Sequence, residues 1–492
     1  MLLVFAFSPF YIFPLAIISP AILFYVWVYS KPGRSFWRGL LFGLGLFGGG
    51  VSWVFVSVYQ FGNMTWPLAV LIVLVLILIL SMYPALLGWL QARFFAGRIV
   101  VRCVLLMPAI WTLGEWWRSW FLSGFPWLNL GYSQTPGPLV HWAAWWGVYG
   151  VSYMTALTAA LLVWLLIRKR AVVWYALSII FVIWIGGFLV QDIGWTRAIG
   201  EPVDIGLVQG NFSIREKWNP DNRDKMFRRY IELSQRVRRA RVIIWPEAAL
   251  PYDPGELKPH QIKLLQTESR KYHSEFIIGA VEKKVVSGRL NFYNSAFTVG
   301  DKPQIYRKRH LVPFGEYIPL RFIFDWLMRS IHIPMSDFSR GLASQEPLSL
   351  AGQFFGISIC YEDAFGEELI RMLPKATILV NLSEDAWFGR SLAPHQRLQM
   401  ARVRAIESGR DMIRVGNTGI TARINHLGNI PEGQQAPQFQ AHAMVVRAQP
   451  RQGLTPYARL GNWPILLFCT FILVLSLVLT RRYGQRHIAN GS

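Results

Sequence analysis

The segment ISICYEDAFG, residues 357–366, places a cysteine at the end of an apolar run and follows it with a tyrosine, two carboxylates and a turn. An apolar run that ends in a polar cluster is typical of a buried strand in an α/β sheet. Cys360 is therefore either a small core residue that carries a thiol or a nucleophile presented at the tip of a strand. The surrounding sequence has to decide between these two interpretations.

The same pattern recurs on both sides of this segment, from residue 202 to residue 451. Short apolar runs there alternate with helix-like runs, which predicts one large α/β domain. The predicted strands are 203–209, 241–245, 275–280, 291–299, 354–359, 376–381, 412–417 and 420–424. The predicted helices are 221–239, 259–272 and 394–408.

Two further strand ends carry ionisable side chains. RVIIWPEAALP places Glu247 just after one strand, and YRKRHLVPFGEY places Lys308 and Glu316 on either side of a turn. A carboxylate can take the proton of a thiol, and an ammonium can stabilise first the thiolate and then an oxyanion. Each of these residues taken singly also suits an ordinary structural role. Their joint occurrence at strand ends favours a thioester-forming site.

The rest of the chain is unlike a soluble protein. Hydrophobic residues make up 53% of the sequence and charged residues only 16%. Windows without any Asp, Glu, Lys or Arg are long enough for membrane spans, which need about 20 apolar residues. The charge-free windows are 1–30, 39–92, 119–167, 171–191 and 460–480. The predicted spans are 14–30, 39–60, 66–92, 103–122, 138–167, 172–190 and 463–480.

Basic residues lie in alternate loops between these spans, which predicts that those loops are cytoplasmic. The basic loops hold Lys31, Arg34 and Arg38; Arg93, Arg98 and Arg102; Arg168, Lys169 and Arg170; and Arg481, Arg482 and Arg486. The expected organisation is transmembrane helices over 1–191, an extracytoplasmic catalytic domain over 202–451 and a last transmembrane helix over 463–480. The net charge of +22 then reflects topology and contact with anionic lipid, not nucleic-acid binding.

Two details qualify this organisation. MLLVFAFS, residues 1–8, is too short to span, so it is either a half-helix or the end of a helix whose beginning is missing. Cys103 and Cys469 fall in predicted spans, which leaves Cys360 as a single thiol outside the cytoplasm that cannot form an intramolecular disulfide. A lone thiol there favours a functional use, although free cysteine is also a common buried residue.

WPE with Glu247, YRKRHLVPFGEY with Lys308 and ICYE with Cys360 resemble the Glu-Lys-Cys triad of the nitrilase, or carbon-nitrogen hydrolase, superfamily. Other segments resemble its membrane branch, the bacterial apolipoprotein N-acyltransferases, in order along nearly the whole chain. These segments are GFPWLNLGYSQ (124–134), VQGNFSIREKW (208–218), DAWFG (385–389) and GLTPYARLGNWP (453–464).

The resemblance implies a four-layer α-β-β-α sandwich on a multi-pass bundle of eight helices. It implies transfer of an acyl chain from a phospholipid, through a cysteine thioester, to the α-amine of the S-diacylglyceryl-cysteine at the N-terminus of an apolipoprotein. Cys360 would be the nucleophile, Glu247 the general base and Lys308 the partner of the oxyanion. The positions that match supporting or substrate-binding residues of the family are Trp218, Glu316, Tyr361 and Glu362.

No cofactor and no metal are implied. The expected donor is phosphatidylethanolamine, the expected acceptor is a diacylglyceryl apolipoprotein, and nucleic acid is not a partner. The expected form is a monomer in the bacterial inner membrane with the catalytic domain on the periplasmic side. One departure is that Glu384 stands in Ser383-Glu384-Asp385 where the family usually has Asn.

Two other functions fit parts of the same sequence. A membrane-anchored amidase or nitrilase would use an identical triad, with water in place of the amine. A non-catalytic lipid or lipoprotein binding or transport protein would have no use for Cys360. The near absence of charge in most spans speaks against a coupled transporter, which usually carries an ion pathway.

Overall fold

The computed structural model describes residues 1–62, 64–95, 99–167, 173–299, 302–319 and 337–489, with side chains as far as residue 481. Its contacts divide the chain into two compact units. The first consists of Met1–Phe55, Thr65–Ile193 and Arg459–Ser492, and the second of Val56–Met64 and Gly194–Ala458. The helices, in chain order, are α1 (Leu15–Val28), α2 (Pro32–Gly50), α3 (Val54–Phe61), α4 (Trp66–Phe94), α5 (Met107–Arg118), α6 (Ala143–Ile167), α7 (Val173–Val190), α8 (Ile214–Lys217), α9 (Arg223–Arg236), α10 (Pro259–Tyr272), α11 (Gly366–Leu369), α12 (Ala393–Ser408), α13 (Pro456–Leu460) and α14 (Trp463–Ala489).

The first unit is a bundle of apolar helices. Within the described ranges, four helical stretches are long and apolar enough to cross a membrane: Trp66–Phe94, Pro138–Ile167, Val173–Val190 and Trp463–Arg481. A fifth candidate is the pair α2 and α3, which is bent by 57°. The start of the chain forms a short 3-10 helix, Leu2–Ala6, with Leu3, Val4 and Ala6 buried.

Three of the seven predicted spans differ from the structure. The span predicted at 39–60 is broken after Gly48-Gly49-Gly50, because successive glycines weaken a helix. The span predicted at 14–30 is the 14-residue helix α1, which is shorter than a full span. The span predicted at 103–122 is a π turn, Val101–Leu106, followed by α5, which ends at the buried Arg118. The predicted basic positions Arg98 and 168–170 lie outside the described residues.

The second unit contains two main sheets. The strands are β1 (Thr196–Ala198), β2 (Val203–Gln209), β3 (Val242–Ile244), β4 (Glu275–Val286), β5 (Arg289–Val299), β6 (Ile305–Arg307), β7 (Leu348–Leu350), β8 (Gln353–Ile359), β9 (Ile378–Ser383), β10 (Met412–Gly416), β11 (Ala422–Ile424), β12 (His442–Ala448) and β13 (Arg451–Gly453). One sheet has six strands in the order β12-β2-β3-β4-β5-β6, and the other has five in the order β11-β10-β9-β8-β7. Strands β2, β3 and β4 run parallel to one another, as do β8, β9 and β10.

These sheets are the two inner layers of a sandwich. Apolar side chains of both sheets, such as Ile244 and Ile357, form one buried cluster between them. Phe227 of α9 and Leu265 of α10 pack on the outer face of the six-stranded sheet. Leu398 of α12 packs with β9 and β10 on the outer face of the five-stranded sheet. The predicted fold class, an α-β-β-α domain together with a helical membrane bundle, is confirmed.

Candidate active site

Three of the singled-out side chains follow strands whose carboxyl ends lie at one edge of the sandwich. Glu247 comes shortly after β3, Lys308 directly after β6 and Cys360 directly after β8. All three are buried, with exposed fractions of 4%, 1% and 8%. The Lys308 Nζ lies 3.7 Å from the Glu247 Oε1, so the structure brings the predicted base and the predicted cation together.

Cys360 sits in a tight turn that its neighbours hold in place. Its φ of +52° is in the left-handed region, which costs a residue with a side chain about 1 to 3 kcal/mol and is common at functional sites. The Cys360 carbonyl accepts a hydrogen bond from the Asn381 amide (3.2 Å). The strand therefore ends at the thiol, where a short 3-10 helix, Cys360–Ala364, begins.

Glu362 holds the same turn in place through hydrogen bonds. Its carboxylate accepts hydrogen bonds from the backbone N–H groups of Ile359 and Arg309, both at 2.7 Å, and from the Tyr306 hydroxyl at 3.0 Å. Burial raises the pKa of Glu362, with Arg309 opposing that rise. Glu362 thus ties the cysteine turn to the segment that carries Lys308.

Lys308 and Glu247 share a network with Glu316 and Asn294. The Lys308 ammonium donates to Glu316 Oε1 at 2.8 Å, and the backbone N–H of Val312 donates to Glu316 Oε2 at 2.8 Å. The Asn294 amide nitrogen donates to Glu247 Oε1 at 2.8 Å and to Glu316 Oε1 at 3.0 Å. In the part of the chain that the structure describes, Glu247 Oε2 has no hydrogen-bond partner, so this buried oxygen is available to accept a proton.

The charges around the thiol define its resting state. Burial raises the pKa of Cys360 to about 12, while Arg397 and then Lys308 oppose the rise. Burial by itself would lower the pKa of Lys308, but Glu316 and Glu247 raise it above its ordinary value. At neutral pH the resting site therefore holds a neutral thiol beside a charged ammonium, and a base is needed to form the thiolate.

Two aromatic residues were singled out in the sequence, Trp218 at the end of α8 and Tyr361 directly after Cys360. The half-buried Trp218 packs against a small apolar cluster that includes Ala248, Leu311 and Phe338. The Tyr361 ring, directly after the cysteine, makes an edge contact with Phe365 at a centroid distance of 5.1 Å. Their suggested roles in substrate binding stay predictions.

A cluster of four buried ionic side chains next to Cys360 was missed in the sequence. Arg414 donates to Asp363 Oδ2 at 2.8 Å and to Asp385 Oδ2 at 2.9 Å. Arg397 donates to Asp385 Oδ1 at 2.6 Å and to Asp363 Oδ2 at 3.4 Å. The available signal was Arg414 itself, a charge between Ile413 and Val415 in a run that reads as a buried strand, because such a charge needs a partner.

Glu384, which departs from the family pattern, has a specific set of partners. Its carboxylate forms a buried ion pair with Lys217 and accepts from the Asn417 amide at 3.0 Å. The Lys217 ammonium also donates to the backbone carbonyl of Glu247 at 2.7 Å. Glu384 is therefore linked to the predicted base through Lys217.

Among the described residues, no three His, Cys, Asp or Glu side chains are grouped so that they could hold a metal ion. The expectation that the site needs no metal or cofactor stays a prediction.

Comparisons with known proteins find matches for both the N-terminal helical part and the α/β domain. Residues 1–161 match the profile of the apolipoprotein N-acyltransferase N-terminal domain, and residues 205–449 match that of the carbon-nitrogen hydrolases. An apolipoprotein N-acyltransferase from Nitrosomonas europaea is 43% identical over 93% of this chain and 91% of its own. One from Methylococcus capsulatus is 40% identical over 99% of this chain and 96% of its own. The resemblance seen in the sequence is confirmed, and the chain belongs to the apolipoprotein N-acyltransferase family.

Proposed function

We propose that this protein transfers an acyl chain from a membrane phospholipid, through a thioester on Cys360, to an apolipoprotein. The acceptor is the α-amino group of the N-terminal S-diacylglyceryl-cysteine, and the reaction is the last step of bacterial lipoprotein maturation. The observation that carries the proposal is a buried thiol in a strained turn at a strand end, beside a buried Glu-Lys pair. Family membership supplies the chemical class of the substrates.

In the first half-reaction, Glu247 takes the proton of the Cys360 thiol as the sulfur attacks the ester carbonyl of the phospholipid. A carbon–sulfur bond forms, and the carbonyl π electrons move to oxygen. The Lys308 ammonium stabilises this oxyanion, because a fixed charge in a buried site needs no reorganisation during the reaction. The intermediate collapses, the carbon–oxygen bond breaks, and the lysophospholipid leaves with the proton from Glu247.

In the second half-reaction, the α-amine of the acceptor attacks the thioester carbonyl. Glu247 removes a proton from the attacking nitrogen, the carbon–sulfur bond breaks, and the thiolate regains a proton. The products are an amide and the free thiol. Glu316 and Glu362 hold Lys308 and the cysteine turn in position, while Trp218 and Tyr361 are proposed to contact the acyl chain.

The wider assignments are part of the same proposal. The donor is phosphatidylethanolamine, and the protein acts as a monomer in the bacterial inner membrane. The transmembrane parts are 1–191 and 463–480, and the catalytic domain, 202–451, is on the periplasmic side. Several helices long and apolar enough to cross a membrane support the membrane location.

The test is the intact mass of the purified protein after incubation with phosphatidylethanolamine in detergent. We expect an added acyl mass on the wild type and none on Cys360→Ala. The matched controls are Cys103→Ala and Cys469→Ala, which remove the other two cysteines and should keep the added mass. Glu247→Gln should also abolish it, because an amide cannot take the thiol proton.

Addition of a diacylglyceryl-cysteine peptide should then move the acyl group from the protein to the amine of the peptide. Release of the acyl group into buffer as free fatty acid, with or without the peptide, would instead indicate a hydrolase. Equal acyl mass on wild type and Cys360→Ala would contradict the thioester, and normal lipoprotein acylation in cells with Cys360→Ala would favour a binding or transport protein.

A further inference from the structure

A cation other than Lys308 contacts the sulfur of Cys360. Arg397 lies on α12 and is 1% exposed, and its Nη1–H donates to the Cys360 Sγ at 3.5 Å. A guanidinium is charged at every accessible pH. The thiol of the site is therefore in direct contact with a fixed positive charge that comes from a different element than Lys308.

The orientation of Arg397 is set by three oxygen acceptors. Its Nη1 also donates to Asp385 Oδ1 at 2.6 Å, and its Nη2 donates to the Ser383 hydroxyl at 3.2 Å and to Asp363 Oδ2 at 3.4 Å. The two aspartates are in turn held by Arg414. Because two guanidinium groups balance two carboxylates, the buried cluster is neutral overall.

Lys308 also has carboxylate partners. Its ammonium lies 2.8 Å from a Glu316 oxygen and 3.7 Å from Glu247 Oε1, whereas the Arg397 guanidinium contacts the sulfur itself. The charged and titratable groups that act on Cys360 are Arg397, Glu247, Lys308 and Asp385. Burial raises the pKa of the thiol most strongly, and Arg397 lowers it more than Lys308 does.

We propose that Arg397 is a further catalytic residue, which donates a hydrogen bond to the Cys360 thiolate and leaves Lys308 to the oxyanion. The inference rests on the proposed function for the reaction that the thiolate performs. When the S–H bond breaks, the proton moves to Glu247 and the electron pair stays on the sulfur against Arg397. As that pair forms the bond to the ester carbon, the sulfur loses its charge and the contact with Arg397 weakens.

The test is the rate at which iodoacetamide alkylates Cys360, followed by the mass of the Cys360 peptide between pH 7 and pH 10. This reaction needs a thiolate but no acyl donor. Loss of a contacting positive charge raises the pKa of a thiol by about 1 to 3 units, so a smaller fraction of it is thiolate. The more basic thiolate is also more nucleophilic, which offsets part of the loss in rate. Arg397→Gln should therefore be alkylated about 3- to 30-fold more slowly, and Arg397→Lys should recover part of the rate.

The matched control is Arg404→Gln. Arg404 is also buried on α12 and also ion-paired, with Glu407 at 3.1 Å, but it is seven residues further along the helix. Its alkylation rate should equal that of the wild type. An unchanged rate in Arg397→Gln, or an equal loss in Arg404→Gln, would overturn the proposal.

Loss of one cation from a neutral cluster can impair folding. The double variant Arg397→Gln, Asp363→Asn removes one charge of each sign, so the cluster stays neutral, and it should show the same slow alkylation. A wild-type rate in a folded double variant would overturn the proposal just as directly. A wild-type protein that forms no thioester with phospholipid would refute the proposed function while the alkylation rates still tested the contact between Arg397 and the thiol.

Discussion

At the scale of single residues, Glu384 shows how a departure from a family pattern is accommodated. An amide at this position would carry no charge, whereas the carboxylate requires a buried counter-ion. Lys217 supplies it, and both side chains are almost fully buried, at 5% and 1% exposure. The pair also reaches the backbone of Glu247, so the substitution is linked to the site through one hydrogen bond.

Glu384→Asn should therefore destabilise this chain, although it restores the residue that the family usually has. The change leaves the Lys217 ammonium buried without a counter-charge, and breaking a buried pair in this way costs about 3 to 5 kcal/mol. Thermal unfolding in detergent measures the loss. The double variant Lys217→Met, Glu384→Asn removes both charges and should recover most of the stability. A Glu384→Asn protein as stable as wild type would show that the ion pair contributes little.

Lys308→Ala separates oxyanion stabilisation from lipid binding. Because Lys308 is buried between two carboxylates, we expect the variant to lose thioester formation by at least about 100-fold while it still binds phospholipid. Initial acylation rates and a detergent-based lipid-binding assay measure the two properties. The control is Lys283→Ala, a half-exposed lysine paired with Glu256, which should change neither. If lipid binding were lost with the chemistry, Lys308 would hold the phosphate instead.

At the scale of elements, the site depends on the contact between two turns. The turn after β6 carries Lys308 and His310, and the turn after β8 carries Cys360. The His310 ring stacks on Phe365 at a centroid distance of 3.7 Å, and its Nδ1 lies 2.8 Å from Glu368 Oε1 on α11. This contact complements Glu362, which binds backbone groups of both turns.

The Glu368 carboxylate gives this contact a defined pH dependence. Burial would raise its pKa, but the hydrogen bond and charge of His310 lower it below 4.5. A carboxyl whose pKa is lower in the folded state stabilises the fold above pH 4.5, and the effect is lost as the pH falls through the folded-state value. Glu368→Gln should therefore be about 0.5 to 1 kcal/mol less stable than wild type at pH 6.

Unfolding midpoints in denaturant between pH 3 and pH 7 test this sign. The difference between Glu368→Gln and wild type should shrink as the pH falls below 4.5. Glu346→Gln is the control, because Glu346 pairs with Lys375 at 77% exposure and should make no measurable difference. A difference that grows toward low pH would contradict the assignment.

At the scale of the whole molecule, the main expectation is the side of the membrane on which the catalytic domain lies. Lys31, directly before α2, and Arg34 and Arg38, in the first two turns of α2, predict that the start of this helix lies on the cytoplasmic side. The break between α2 and α3 bears on this argument, because a broken span and a re-entrant loop place the following segment on different sides. The orientation is therefore best measured directly.

Single added cysteines report the orientation. Arg289→Cys lies at the exposed turn between β4 and β5, and Arg34→Cys is exposed near the start of α2. In intact spheroplasts, a membrane-impermeant maleimide should label Arg289→Cys at once and Arg34→Cys only after permeabilisation. The parent chain, whose own cysteines are all buried, sets the background. The reverse order of labelling would place the catalytic domain in the cytoplasm.

Much of the fold could be predicted because local residue patterns mark where strands and helices begin and end. The strand predicted at 203–209 and the helix predicted at 259–272 coincide with β2 and α10, since Pro202 and Gly210 flank the strand and Pro259 begins the helix. The short strands β6 and β7 were not predicted. Three residues are too few to show a period, and such strands form only because a longer neighbour offers hydrogen bonds.

The amino-acid sequence was sufficient to predict the class of molecule: a membrane chain with an α/β domain whose thiol, amine and carboxylates stand at strand ends. These features follow from composition and local periodicity, which are properties of the chain whatever its tertiary contacts. The pairs of side chains that meet are seen only in the folded chain. Arg397 reaches Cys360 and Lys217 reaches Glu384 across long stretches of chain, and Asn294 joins Glu247 to Glu316. Such pairs depend on how strands and helices pack, and packing leaves no periodic signal in the sequence.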